Sequence, residues 1–260
     1  MQMKNIQNKS PLKAPPLRVA GESLDAQLDE HIQNELLTPY LLAAFLTIVA
    51  LLEWYRYFTD MRPNPWIFTA AAAIAGVYAT VRIRRGLRRA RDIKRGRAGE
   101  RAVAQYLEGF RTRGFFVFHD VPTGDANIDH VLIGSQGLFT IETKTLSKPV
   151  RGDARIRVKN DRVFADRSEV VRNPLVQAKA QASWLGSFLA ETGFAARVQP
   201  VVVFPGWFVE PCDMKALGIW VLEPKALDKF IDHEREVFSR DTVRAMASAL
   251  SSYIRAQSSL

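Results

Sequence analysis

Two runs of β-forming residues, Ile128–Ile133 and Leu138–Thr143, flank Gly134-Ser135-Gln136-Gly137, and no other stretch limits the fold as tightly. That pattern is the signature of a β-hairpin. With the turn centred on Ser135 and Gln136, Asp129 stands opposite Glu142 and Asn127 opposite Lys144; a bulge would shift this register. Directly opposed side chains lie roughly 4.5–5.5 Å apart at Cβ, so the two carboxylates repel unless a cation or a proton lies between them. Lys144 follows Glu142 by two residues and shares its side of the pleat. Two acids and a lysine so placed suit metal-assisted cleavage of a phosphodiester. An acid–x–Lys triplet alone is common on exposed strands as a surface ion pair. Asp129 opposite Glu142, in an otherwise apolar hairpin, reverses that preference.

Composition bounds the rest. A chain of 260 residues has room for one sizeable core plus appendages. The single cysteine, Cys212, forms no internal disulfide, and no Cys/His group has zinc spacing, so a reduced setting fits. The net charge of +9 suggests nucleic acid until it is located: Arg82–Arg97 holds nine basic residues and one acid, +8, leaving +1 for everything else.

The N-terminal segment 1–38 is expected to be cytoplasmic and partly disordered. Pro11, Pro15 and Pro16 with few large apolar groups mark residues 1–21 as disordered, and Leu24, Leu28, Ile32 and Leu36 predict a weakly amphipathic helix over 23–37. No basic n-region stands beside an apolar core, so no signal peptide is expected. Two apolar runs follow, Tyr40–Leu52 extended by Trp54, Tyr55, Tyr57 and Phe58, and Trp66–Val81, separated by the loop Thr59–Pro65. With their interfacial aromatics they approach the roughly 20 residues of a spanning helix, predicting a transmembrane hairpin at about 39–58 and 65–83. Ala72, Gly76 and Thr80 repeat small residues for close helix packing. The alternative is a pair of buried helices in a soluble bundle. The basic linker 84–97 directly after the second run favours the membrane and places both termini in the cytoplasm, at the inner membrane. It can also lie on anionic headgroups or bind nucleic-acid phosphates.

From Ala98 on the pattern is globular. Gly99-Glu100 opens an expected helix to about Phe110, followed by a strand over 115–121, the central hairpin, and a second hairpin of 155–158 with 162–165. Asn173-Pro174 is an N-cap with proline at the first helical position, starting a helix to about Ala190 that carries Gln177 and Gln181. Val198–Phe204 and Ile219–Leu222 read as buried strands, and helices over 224–233 and 241–256 close the chain. The order predicts an α/β or α+β domain with a central sheet. Glu100, Asp129, Glu142, Lys144 and Gln177 are the polar groups that such a fold can bring together. Hard oxygen donors suit Mg²⁺ or Mn²⁺, with Asp129, Glu142 and the Thr143 backbone carbonyl as ligands and Glu100 as a further candidate. Lys144 would orient the attacking water and offset charge on the phosphate. His130, on the apolar side, reads as a core histidine, and the direction of His119 is ambiguous.

Gly99-Glu100, Asn127-Ile128-Asp129-His130-Val131, Glu142-Thr143-Lys144, and Asn173-Pro174 with Gln177 and Gln181 together resemble the nuclease-related (NERD) domain, over roughly Arg97–Trp207. That domain is similar to the restriction-endonuclease-like superfamily, whose motif is an Asp followed by Asp/Glu-x-Lys. The resemblance implies an α-β-β-β-α-β core, with Glu100 on the first helix, Asp129 and Glu142/Lys144 on adjacent strands, and Gln177 on the second helix. Related nucleases often carry Gln-x-x-x-Tyr on that helix; here the second position is Gln181. The full expectation is a restriction-endonuclease-like sheet flanked by helices over 98–260, preceded by the two-helix hairpin. Three functions remain in view: a membrane-anchored metal-dependent nuclease acting on DNA (or RNA), a non-catalytic nucleic-acid-binding module of the same fold, and a membrane scaffold. The intact set of acids and lysine favours the first.

Overall fold

The computed structural model describes residues 18–32, 37–59, 65–124, 126–148 and 154–257. Most of the segment expected to be disordered, 1–21, and most of the expected loop Thr59–Pro65 lie outside the described residues. Two compact units result, 22–98 in one and 18–21 with 99–257 in the other.

The first unit is helical: α1 (Glu22–His31), α2 (Thr38–Phe58) and most of α3 (Pro65–Glu108). Helix α2 has 21 residues, roughly 30 Å, the thickness of a bilayer's hydrocarbon core. Its large apolar side chains, including Leu41, Phe45, Ile48 and Leu52, are exposed. Among the described residues it is the helix long and apolar enough to cross a membrane. The expected second, separate spanning helix does not form as such. The run Trp66–Val81 is the first part of a 44-residue helix that continues through the basic residues. No proline follows Pro65 in that stretch, and its alanines and arginines are strong helix formers, so nothing stops the helix at Val81. The aromatic residues do cluster where they were expected. Trp54 Nε1 donates to Thr69 Oγ1 (2.9 Å), and the Trp54 and Trp66 rings meet edge to face at 5.7 Å. Asp25 of α1 pairs with Arg97 of α3 at 2.5 Å.

In the second unit the helix expected to open at Gly99 is instead the continuation of α3. It ends in a 3₁₀ turn, Gly109–Arg113, closed by Gly114 in the left-handed region (φ 87°). Strands β1 (Phe116–Pro122), β2 (Asn127–Gly134) and β3 (Gly137–Thr143) form an antiparallel meander. The small strands β4 (Arg155–Lys159), β5 (Arg162–Ala165) and β6 (Ser168–Glu169) precede α4 (Pro174–Glu191), which returns the chain to β7 (Val198–Val203), parallel to β3. Then come β8 (Phe208–Val209), α5 (Met214–Leu217), β9 (Trp220–Leu222), α6 (Leu227–Asp232) and α7 (Arg240–Gln257). The main sheet has the order β1-β2-β3-β7-β9, and a second sheet the order β6-β5-β4-β8.

The main sheet is covered on both sides, which is why β3 is buried at every position. On one side α4 and α7 bring Leu185, Leu189, Met246 and Leu250 against Val131, Ile133 and Leu138. On the other, α3 and α6 bring Val103, Leu107, Leu227 and Ile231 against Leu132, Phe139 and Ile141. Asn173 caps α4 by accepting from the Leu175 amide (3.0 Å), with Pro174 at the first helical position. The second sheet packs Ile156 and Val163 with Trp207 and Leu175.

The hairpin register is the expected one from Gly134/Gly137 to His130/Ile141. There the ladder ends. Asp129 does not pair with Glu142 through the backbone; its Oδ2 accepts the Thr143 amide at 2.7 Å, so a side chain takes the place of a carbonyl. Asn127 does not face Lys144 either. It pairs with Pro122 of β1, and the Lys144 amide goes to the Val203 carbonyl of β7 (2.9 Å).

Candidate active site

The end of β2 and β3 where this ladder opens gathers acids from three elements. Glu142 lies at the close of β3 and is buried; Asp129 is partly buried on β2; Glu100 comes from α3. Gly99 makes the approach of α3 possible. A Cβ there would overlap the Thr145 side chain, so only glycine lets the helix lie this close to the chain leaving β3. Helix α4 holds Glu142 from its other side. Gln177 Nε2 (2.9 Å) and Gln181 Nε2 (2.7 Å) both donate to Oε2, and Gln181 also reaches the Asn127 carbonyl (3.2 Å). The two glutamines, four apart, present their amides on one helix face. Their observed contact is with the acid, which makes both positioning residues.

The charges in this cluster are mutually unfavourable. Burial first, then the Asp120 and Glu142 charges, push the Glu100 carboxyl up to about 7. Dehydration, then Glu142 and Glu100, hold the Asp129 carboxyl well above the usual carboxylate range, against the Thr143 amide and Lys144, which pull it down. Burial raises Glu142 as well, opposed by the Gln181 hydrogen bond and Lys144. Lys144 thus lies close enough to act on both β-strand acids. The five expected residues, Glu100, Asp129, Glu142, Lys144 and Gln177, all come to this one place.

Asp120 is an acid that sequence reasoning missed. It is buried at 3 % exposure, yet its backbone sits at φ 50°, where a residue other than glycine is strained. Asn127 Nδ2 donates to its Oδ1 (2.7 Å), and Arg18 lies 3.7 Å from its Oδ2. The signal available was an aspartate inside the apolar run Phe116–Pro122. His130 is fully buried, as a core histidine should be, with its Nδ1 against His119 Nδ1 (2.9 Å). His119 Nε2 reaches Glu108 Oε1 (2.9 Å). Burial holds both imidazoles below their usual range, His130 most strongly, which favours the neutral rings that a contact between the two Nδ1 atoms requires. The His130 Nε2 has no hydrogen-bond partner among the described residues.

The donor set fits a hard divalent cation: dehydrated, mutually repelling carboxylates beside two buried oxygens, Thr143 Oγ1 and Gln181 Oε1, that have no hydrogen-bond partner among the described residues. Among the described residues no three acids or histidines already stand as a ligand set.

No curated protein and no solved structure matches the chain. A family model, the nuclease-related domain (NERD), matches residues 95–205, a span that contains every acid of the cluster, Lys144 and both glutamines. Over residues 95–205 the chain is thus similar to the nuclease-related domain.

Proposed function

We propose that the chain is a membrane-anchored nuclease that hydrolyses phosphodiester bonds of DNA, or of RNA, at the cytoplasmic face, with Mg²⁺ or Mn²⁺ as its cofactor. The observation that carries this reading is the convergence of Glu100, Asp129 and Glu142, all with raised carboxyl pKa values, beside Lys144. A fold under no chemical demand would not keep one buried and two half-buried acids together with their charges opposed. Asp129, Glu142, the Thr143 carbonyl and Glu100 would hold the ion, which when bound supplies Lewis acidity and lowers the pKa of water. Gln177 and Gln181 fix one oxygen of Glu142 and leave the other to a ligand. Lys144 orients water and offsets charge on the phosphate. Glu100 exchanges its proton near neutrality, so it yields readily to a cation or accepts a proton from water. The sheet order supports the restriction-endonuclease-like reading: α3, β1, β2, β3, α4 and β7 run in the implied sequence, with β4–β6 inserted.

Helix α2 would be the anchor. The exposed Trp66, Ile67, Ile74 and Val77 of α3 support a second crossing by the first part of that helix, with Arg82–Arg97 on the cytoplasmic side. A second reading, a non-catalytic nucleic-acid-binding or scaffold module, is favoured by the lack of a ready ligand set among the described residues. The test is full-length protein in detergent, incubated with Mg²⁺ or Mn²⁺ and linear, circular and single-stranded substrates. Wild type is expected to cut, while Asp129→Asn, Glu142→Gln and Lys144→Ala lose at least roughly a hundredfold. Binding without any cleavage in all four proteins would move the conclusion to the second reading.

A further inference from the structure

The opposite end of the main sheet carries a second candidate site. Where β7 and β9 begin, a cavity of about 460 Å³ opens, within the range of small-molecule pockets. Trp220 and Phe230 line it with their rings packed at 5.3 Å, and Phe139 braces Trp220 from below at 5.5 Å. The two rings are braced by these contacts yet only half-buried, so aromatic surface is left to the cavity, the kind of surface on which a base stacks. Around it stand Arg197, Lys215 and Lys229, all exposed. None of the three side chains makes an ion pair or hydrogen bond among the described residues. One acid, Glu234, shares the lining, so the surroundings are cationic.

This cavity is distinct from the acidic cluster. In the β3/β7 ladder Gln199, on the cavity side, pairs with Phe139, whereas Val203 pairs with Thr143 at the acids. Those four residues of strand separate the two by roughly 13 Å. A purely apolar ligand would leave three cations without counter-charge. Inorganic phosphate would leave Trp220 and Phe230 unused. A ligand with both a planar aromatic ring and a phosphate satisfies the two halves together.

We infer that this cavity binds a mononucleotide-class ligand, its base on Trp220 and Phe230 and its phosphate among Arg197, Lys215 and Lys229. The inference goes beyond the nuclease reading and does not depend on it. Adenosine 5′-monophosphate, adenosine and ribose 5-phosphate are titrated calorimetrically into the full chain with EDTA present, which keeps metal-bridged phosphate out of the acidic cluster. The monophosphate is expected to bind saturably, and each half-ligand at least roughly tenfold more weakly, since stacking and a charge-assisted contact each contribute on that scale. The double substitution Lys215→Glu/Lys229→Glu changes exposed residues only and should weaken binding by roughly tenfold or more with unchanged melting. Asp129→Asn should bind the nucleotide as wild type does, which separates this site from product held by the acids. Absence of saturable binding, equal affinity for either half-ligand, or indifference to the double substitution would overturn the proposal.

Discussion

Burial, and then the charges of Asp120 and Glu142, bring the Glu100 carboxyl up to about 7, so this acid titrates near neutrality and not in the ordinary carboxylate range. The consequence for stability has a definite sign. The unfolded chain gives up this proton near the ordinary value of 4.5, the folded chain only near 7. Between those values the unfolded state binds fewer protons, so stability falls as pH rises and the full penalty is present above 7. Asp129 and Glu142, both raised, act in the same direction. Metal-free protein should therefore lose on the order of 1–3 kcal/mol between mildly acidic and mildly alkaline pH from Glu100 alone. Glu100→Gln should flatten that part of the profile, measured by chemical denaturation at a series of pH values in EDTA. A profile unchanged by the substitution would mean that Glu100 is solvated like an ordinary surface acid.

The elements show which parts of the fold a sequence announces. Turn glycines and alternating apolar residues placed β2 and β3, and the Asn173-Pro174 cap placed α4, because these signals are local. The boundary at Gly99 misled for the same reason. The glycine marks a close approach to Thr145, a tertiary fact, and not a helix start. Asp120 escaped notice because its strained backbone is imposed by what surrounds it. The glutamines could be placed on the second helix, but not their grip on one oxygen of Glu142. The long continuation of α3 also has a testable side. Arg84, Arg85, Arg88 and Arg89 are exposed on it. Replacing all four by Gln keeps good helix formers and should make the salt dependence of DNA binding shallower, by as much as about 0.9 in log–log slope for each phosphate no longer neutralised. An unchanged slope would leave the run with a topological role only.

For the molecule as a whole, charge and chemistry are kept apart along the chain. The +9 resides almost wholly in one stretch of α3, while the acids that repel one another sit at one end of the main sheet. That repulsion is the central claim, since it is what a divalent ion would relieve. Thermal melting of the full chain in detergent at pH 8, with and without Mn²⁺, tests it directly for wild type and Asp129→Asn. At a hundred times the dissociation constant the ion should stabilise wild type by about 2.7 kcal/mol, several degrees of Tm. Asp129→Asn should melt slightly higher than wild type in EDTA, by a few tenths to about 1 kcal/mol, because one like charge is gone. It should then respond weakly or not at all to Mn²⁺. A wild type whose Tm ignores the metal, or an Asp129→Asn protein that responds as wild type does, would contradict the account.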